Sequence, residues 1–110
     1  MSADGNLLGI FVTSSQYMRH VVGITQAALR AGKKVKVFFS YKAVHLTKHP
    51  DFVKLANLLP LDDLTICAAS YNCEGLDPQL DIPKGLTAAQ MRTQAAHGEM
   101  IEECDRYLVF

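Results

Sequence analysis

The chain has 110 residues, of which 49% are hydrophobic, and its 11 basic side chains balance 11 acidic ones. This length suits a single domain spanning residues 1–110, and the apolar content argues against disorder. Zero net charge provides no general attraction to nucleic acid, so we expect no direct nucleic-acid binding. Three cysteines are too few for a disulfide framework, and no apolar run reaches the ~18 residues that a membrane span needs. Without a signal-like N-terminal pattern, we expect a cytoplasmic location.

The charges are distributed unevenly along the chain. Residues 1–50 contain seven basic and one acidic side chain, which gives a net charge of +6. Residues 51–110 contain four basic and ten acidic side chains, which gives −6. Opposite charges of this kind could hold subunits together. Alternatively, they could simply face solvent, because the two halves of an α/β domain interleave in space.

The first half of the chain predicts a strand followed by a helix. The continuous apolar run Leu7–Val12 is typical of a buried parallel strand. The hydroxyl-rich turn after it predicts a helix cap at Ser14 or Ser15, with an anion site as the alternative. Residues 17–31 have apolar side chains at helical spacing, and Gly32 stands where a left-handed C-terminal cap belongs.

A second strand is predicted at residues 35–39 and a connector at residues 40–49. His45 and His49 in this connector are four residues apart, as two metal ligands on a helix would be. Pro50 disfavours helical geometry at His49, and no third ligand is evident. We therefore expect no metal site here.

The second half predicts a helix from Pro50 to Pro60, a strand at Leu64–Cys67, a surface loop at residues 76–85, a long helix at residues 86–104 and a strand at residues 106–110. We expect the loop to cover the Cys67 region or to meet a neighbouring subunit. Thr87 and Gln90 match a capping box that would begin the long helix. Its buried stripe would be Met91, Ala95, Ile101 and Cys104. This element order predicts a three-layer α/β sandwich with a mostly parallel, flavodoxin-like sheet.

Cys67 is the leading candidate for a functional side chain. It ends an apolar strand, and in open α/β sheets ligands and chemistry lie at the carboxyl ends of strands. The amide groups of a following helix would favour its thiolate form. The alternative is a structural role, because cysteine is often buried as a small hydrophobic residue. Cys73 follows in a polar stretch that we expect to be exposed.

Three segments of the chain resemble the DsrE/DsrF-like sulfur-carrier family, above all its TusD- and DsrE-type sulfur-relay subunits. L-T-I-C-A-A, with Gly75 eight residues after Cys67, is similar to the family pattern N-I-C-V-A-A…G. V-F-F at residues 37–39, followed two residues later by Tyr41, is similar to the second strand of the family. C-D-R-Y-L-V-F, from Cys104 to Phe110, is similar to the family terminus C-D-R-x-x-x-F.

The resemblance implies a flavodoxin-like fold, assembly into homo-trimers or hexamers or with other DsrE-like subunits, and no cofactor. It implies that Cys67 carries sulfane sulfur as a persulfide, taken from a donor sulfurtransferase and passed to an acceptor sulfur-carrier protein. Relays of this kind serve tRNA thiolation or dissimilatory sulfur metabolism. Such exchange needs an accessible thiolate.

The chain departs from the resemblance beside the cysteine. Two arginines of TusD-type members are replaced by Cys73 and Glu74, which removes positive charge near the thiol. Cys73 could instead resolve a Cys67 persulfide by forming a disulfide, or it could be a neutral surface substitution. The competing function is a non-catalytic oligomeric subunit or a small-ligand binding module, in which Cys67 would be buried and inert. A flavin-binding flavodoxin is less favoured, because the turn at residues 13–16 is short for a phosphate loop.

Overall fold

The computed structural model describes residues 6–110, so the first five residues of the predicted domain lie outside the described residues. One sheet contains five strands: β1 Leu7–Val12, β2 Lys34–Phe39, β3 Leu64–Cys67, β4 Met91–Arg92 and β5 Arg106–Val109. They lie in the order β4-β3-β2-β1-β5, and all neighbouring strands are parallel. The predicted α/β, flavodoxin-like sandwich is confirmed.

The connections between the strands contain helices. The α-helices are α1 Met18–Arg30, α2 Phe52–Leu58, α3 Ala68–Cys73 and α4 Gln94–Glu103. Shorter 3-10 helices occupy Tyr41–Lys48, Leu61–Asp63 and Ala88–Gln90. The predicted connector at residues 40–49 is therefore mostly a 3-10 helix, whose buried side chains include Val44 and Leu46.

Alternation of side chains along the strands creates a core on each face of the sheet. The larger core joins residues such as Ile10, Val37 and Ile66 to the apolar faces of α1 and α2. The smaller core contains Phe11, Phe38, Cys67, Ala96 and Met100, with Tyr107 packed against it. Because Ala96 and Met100 belong to α4, the Cys67 side chain lies between the sheet and this helix.

Helix α1 ends as predicted but begins differently. Gly32 has φ +79°, and its N–H donates to the Leu29 carbonyl, as in a left-handed C-terminal cap. The expected serine cap is wrong, because α1 has Tyr17 as its N-cap and no side-chain cap hydrogen bond. Ser14 Oγ instead accepts from the Gln16 N–H, a local turn that satisfies the backbone before the helix starts.

The predicted long helix at residues 86–104 is wrong in its first part. The capping box between Thr87 and Gln90 is present, but it closes only the 3-10 turn Ala88–Gln90. The chain then extends as β4, which pairs with β3 through Ile66–Met91 and Cys67–Arg92. Thr93 is the N-cap that begins α4, and its side chain accepts from the Ala95 N–H.

The predicted buried stripe of this helix is corrected as well. The residues of α4 that face the core are Ala96 and Met100, while Ala95 and Ile101 are exposed. Starting the helix at residue 94 rather than 86 changes which side chains meet the sheet. Cys104 is the C-cap of α4 and partly exposed, so it is not the core residue that we expected.

Ion pairs within the chain join its two oppositely charged halves. Lys36 pairs with Glu103 at 2.6 Å, Lys42 with Glu74 at 2.9 Å and Lys48 with Asp81 at 2.5 Å. These pairs lie at the surface, where each contributes between about 0 and 1 kcal/mol. Part of the charge asymmetry is thus neutralised between segments that the fold brings together.

The segment at residues 76–85 is a loop, as predicted. Tyr71, buried in α3, donates its hydroxyl to the Asp81 carbonyl at 2.5 Å, and Lys48 pairs with the Asp81 carboxylate. These contacts hold the loop against α3 and the 3-10 helix Tyr41–Lys48. Its predicted contact with the Cys67 region stays a prediction.

Candidate functional site

Cys67 stands where β3 gives way to α3. It is the last residue of β3 and the N-cap of α3, and all four residues of β3 are buried. Only 1% of Cys67 is exposed. The thiol is therefore at the carboxyl edge of the sheet, as predicted, but beneath the molecular surface.

Uncharged groups donate hydrogen bonds to the sulfur of Cys67. The backbone N–H of Ser70 lies 3.5 Å from Sγ, and the side-chain amide of Gln94 lies 3.2 Å from it. The same amide donates to Ser40 Oγ at 2.8 Å. Ser40 Oγ is 3.1 Å from Ser70 Oγ, which closes the network. We call Ser40, Cys67, Ser70 and Gln94 the sulfur cluster.

The sulfur cluster gathers residues from four segments of the chain. Ser40 directly follows β2, and its N–H donates to the Val12 carbonyl at 2.9 Å at the end of β1. Ser70 lies in the first turn of α3, and Gln94 is the first residue of α4. The cluster exists because parallel strands end at one edge of the sheet and present their following residues together.

Two opposing effects act on the pKa of Cys67. Burial is the largest single influence, and it raises the pKa because a charged sulfur loses its hydration. Hydrogen bonds from Ser70, Gln94 and Ser40 lower the pKa, and together they outweigh burial. The net pKa lies below the ordinary thiol value, so the site stabilises the thiolate, the nucleophilic form, relative to an ordinary cysteine.

The structure does not bring Cys73 to Cys67. Cys73 is exposed at the last residue of α3, while Cys67 caps the first turn. Six helical positions correspond to about 9 Å along the axis. A disulfide needs Cα atoms within about 7 Å, so linking these cysteines would require α3 to unwind.

Cys104 is also remote from Cys67. It follows the last residue of α4, whereas Gln94 of the sulfur cluster is the first, a separation of about 15 Å along that helix. Its sulfur donates to the Ile101 carbonyl at 3.6 Å. Among residues 6–110, all three cysteines are free thiols.

Basic side chains contact Glu74, which replaces an arginine of the resemblance. Glu74 Oε1 is 2.9 Å from Lys42 Nζ and 2.9 Å from His45 Nε2. The hydrogen bond from Lys42 and then that from His45 lower the pKa of Glu74. The carboxylate thus pairs with one lysine and bonds to one histidine at the C-terminal end of α3.

The two histidines of the predicted connector have other partners. His45 binds Glu74, and His49 Nδ1 accepts from the Asp51 N–H at 3.0 Å. Within residues 6–110, no group of three or more histidine, cysteine or acidic side chains is placed to hold a metal ion.

Sequence reasoning missed Ser40, Ser70 and Gln94 as parts of the site. Ser70 had a local signal, since a residue three positions after a helix cap commonly donates its N–H to that cap. Ser40 and Gln94 carry no such signal, because they meet Cys67 only through the strand order. The incorrect helix at residues 86–104 also concealed that Gln94 starts α4 at the edge of the sheet.

Comparisons with protein-family models, with curated proteins and with solved structures found no match for the chain. The resemblance to the sulfur-carrier family therefore stays a prediction from its motifs. In the part of the chain that the structure describes, no helix is both long enough and apolar enough to cross a bilayer.

Proposed function

We propose that the chain is a sulfur carrier in which Cys67 accepts sulfane sulfur as a persulfide and passes it to another protein thiol. The observation that supports this most is the pair of hydrogen bonds to Cys67 Sγ, from the Ser70 N–H and the Gln94 amide. These donors favour a thiolate despite burial, and a thiolate is what such exchange requires.

The proposed transfer has two balanced steps. The Cys67 thiolate attacks the terminal sulfur of a donor persulfide, a new S–S bond forms at Cys67, and the donor leaves as a thiolate. An acceptor thiolate then attacks the terminal sulfur of the Cys67 persulfide, and Cys67 leaves as a thiolate. Neither step has a net change in oxidation state, so neither needs a cofactor or an oxidant.

Cys73 has no role in these steps; the sequence left open either a resolving thiol or a neutral surface substitution at this position. Resolution by Cys73 would form an intramolecular disulfide and release sulfide, and the two cysteines lie at opposite ends of α3. The folded chain therefore favours intermolecular transfer over resolution.

The partners that fit the proposal are a donor sulfurtransferase and an acceptor carrier protein in the reducing cytoplasm. Assembly with copies of this chain or with similar subunits, as a trimer or hexamer, is part of the same proposal. The exposed apolar residues Leu108 and Val109 on the edge strand β5 support assembly, since such edges usually need cover.

The second candidate function is a non-catalytic subunit of such an assembly. The 1% exposure of Cys67 favours it, because a buried thiol in an apolar core is ordinarily inert. The two functions differ in whether the sulfur can be reached when the surrounding side chains move.

Intact mass spectrometry after incubation with a small persulfide donor separates the two. We expect wild type to gain one sulfur mass, ~32 Da. Cys67→Ser should lose that gain, while Cys73→Ser and Cys104→Ser, as matched thiol controls, should keep it. An unchanged mass in wild type would contradict the sulfur-carrier function and favour the non-catalytic subunit. Loss of two hydrogens that requires both Cys67 and Cys73 would indicate a redox pair.

A further inference from the structure

We propose that Gln94 is the positioning residue of the Cys67 thiol: its side-chain amide both donates to the sulfur and covers it from solvent. This inference deepens the proposed sulfur carrier and rests on it. The amide reaches Cys67 Sγ at 3.2 Å and Ser40 Oγ at 2.8 Å, so it ties the start of α4 to the ends of β2 and β3.

The orientation of the Gln94 amide is fixed by what surrounds it. Nε2 donates to an oxygen of Ser40 and to the sulfur at the same time. A thiolate accepts hydrogen bonds and cannot donate one, so the N–H side of the amide matches the charged sulfur. Ser40 is itself fully buried and bonded to Ser70, which holds the acceptor beside the amide in place.

The difference in exposure between Gln94 and Cys67 indicates that Gln94 covers the sulfur. Gln94 is exposed, whereas Cys67 is buried, and the two are in direct contact. A glutamine on the first turn of a helix can change rotamer without unfolding its helix. Rotation of this one side chain would open a path to the sulfur, which reconciles a buried thiol with exchange between proteins.

Charged and titratable groups around the site are engaged elsewhere. Arg92, the neighbour of Cys67 across the β3–β4 ladder, binds Glu99 of α4 at 3.2 Å. His97 of α4 bonds to Tyr107, and Glu74 after α3 pairs with Lys42. The hydrogen bonds that reach the sulfur itself come from uncharged donors, of which Ser70 lowers the pKa of Cys67 most and Gln94 comes next.

The pH dependence of alkylation tests both roles separately. The full-length chain is treated with iodoacetamide over a range of pH, and the adduct on the Cys67 peptide is quantified. The midpoint of the rate profile reports stabilisation of the thiolate, and the plateau at high pH reports access. Gln94→Met keeps the length of the side chain but loses the donor, so we expect a higher midpoint and a rate near neutral pH lower by about fivefold, the factor of one net hydrogen bond.

Two more substitutions complete the design. Gln94→Ala removes the cover, so its plateau should exceed those of wild type and Gln94→Met. Gln94→Glu places a carboxylate beside the sulfur and should raise the midpoint above that of Gln94→Met, because like charges repel. Gln26→Met, an exposed glutamine on α1, is the matched control and should follow wild type.

The outcomes separate this inference from the proposed function. The role of Gln94 would be overturned if the midpoint is unchanged in Gln94→Met and Gln94→Glu, or if the plateau is unchanged in Gln94→Ala. Either result would count against it even if wild type still gains a sulfur. Shifted midpoints and a raised plateau would support it even if wild type gains none, in which case only the sulfur-carrier function would fail.

Discussion

At the scale of single residues, Cys67 shows how burial and hydrogen bonding can oppose each other at one atom. Burial alone would raise the pKa of the thiol and make it inert. Donors from Ser70, Gln94 and Ser40 reverse the direction of the shift. If Gln94 covers the sulfur as proposed, the thiol reacts only when that side chain moves, which would distinguish it from an exposed reactive cysteine.

His97 provides a test of the packing between α4 and the sheet. Its ring stacks on Phe11 with centroids 3.8 Å apart, and burial lowers its pKa below 6.5. The neutral ring is thus favoured in the folded state, so its stabilising contribution is present above the unfolded pKa and is lost as pH falls through the folded pKa.

We expect His97→Phe to remove this pH dependence. Between about pH 7 and pH 5, the free energy of unfolding of wild type should fall relative to that of the variant, measured by urea denaturation. Taking the difference between the two proteins cancels other groups such as Asp63, whose pKa is raised by burial. Parallel profiles across this range would contradict a neutral, buried His97.

At the scale of elements, the junction between β2 and the following 3-10 helix has an unusual backbone. Tyr41 has φ +52°, in the left-handed region that non-glycine residues enter at a cost of about 1–2 kcal/mol. It is 61% exposed, so its side chain contributes little core packing. It also follows Ser40 directly, so this turn fixes one member of the sulfur cluster.

Comparing Tyr41→Gly with Tyr41→Ala isolates that strain. Glycine adopts positive φ freely and alanine does not, so we expect the glycine variant to be more stable by about 1 kcal/mol. Urea unfolding midpoints provide the measurement. Greater stability of the alanine variant, the usual order elsewhere in proteins, would mean that residue 41 does not have a left-handed backbone.

Helix α1 contains a second testable feature. Thr25 is fully buried, and its hydroxyl is the buried side-chain polar atom that has no hydrogen-bond partner within residues 6–110. Thr25→Val keeps the shape and removes the unpaired group, so we expect a gain of about 1 kcal/mol in the free energy of unfolding. A loss of stability on chemical denaturation would show that the hydroxyl is satisfied.

The sequence predicted the elements that have strong periodicity and could not predict those decided by tertiary pairing. Strands β1 to β3 and helix α1 follow from continuous apolar runs and helical spacing. Strand β4 has two residues and no periodicity, and it forms because β3 offers an unpaired edge. The capping box at Thr87 looks the same whether an α-helix or a 3-10 turn follows. The sequence therefore predicts a helix that starts at residue 86, eight residues before α4 begins.

The same distinction applies to the candidate site. Cys67 could be identified because it ends an apolar strand, a local pattern. Ser40 and Gln94 could not, because their distance from Cys67 in space depends on the order of the strands. Partial exposure of Cys104 likewise depends on where α4 ends.

At the scale of the whole molecule, the fold pairs charges that are far apart in the chain and leaves apolar side chains exposed on the edge strand β5. Lys36, Lys42 and Lys48 of the basic half all pair with acidic residues of the other half. The edge strand β5 still exposes Val109 to 59% and Leu108 to 38%. If copies of the chain assemble as proposed, apolar contact at β5 is a better candidate for holding them than attraction between opposite charges.

Cyanide tests most directly whether Cys67 holds transferable sulfane sulfur, as we propose. Cyanide removes the terminal sulfur of a persulfide as thiocyanate and leaves the cysteine thiolate, whereas a disulfide releases none. Each protein is loaded with a persulfide donor and desalted before cyanide is added. Wild type, Cys73→Ser and Cys104→Ser should each release about one equivalent of thiocyanate per chain. Cys67→Ser should release none, because loading requires the activated thiolate of Cys67. Equal release from Cys67→Ser, or none from wild type, would contradict the claim.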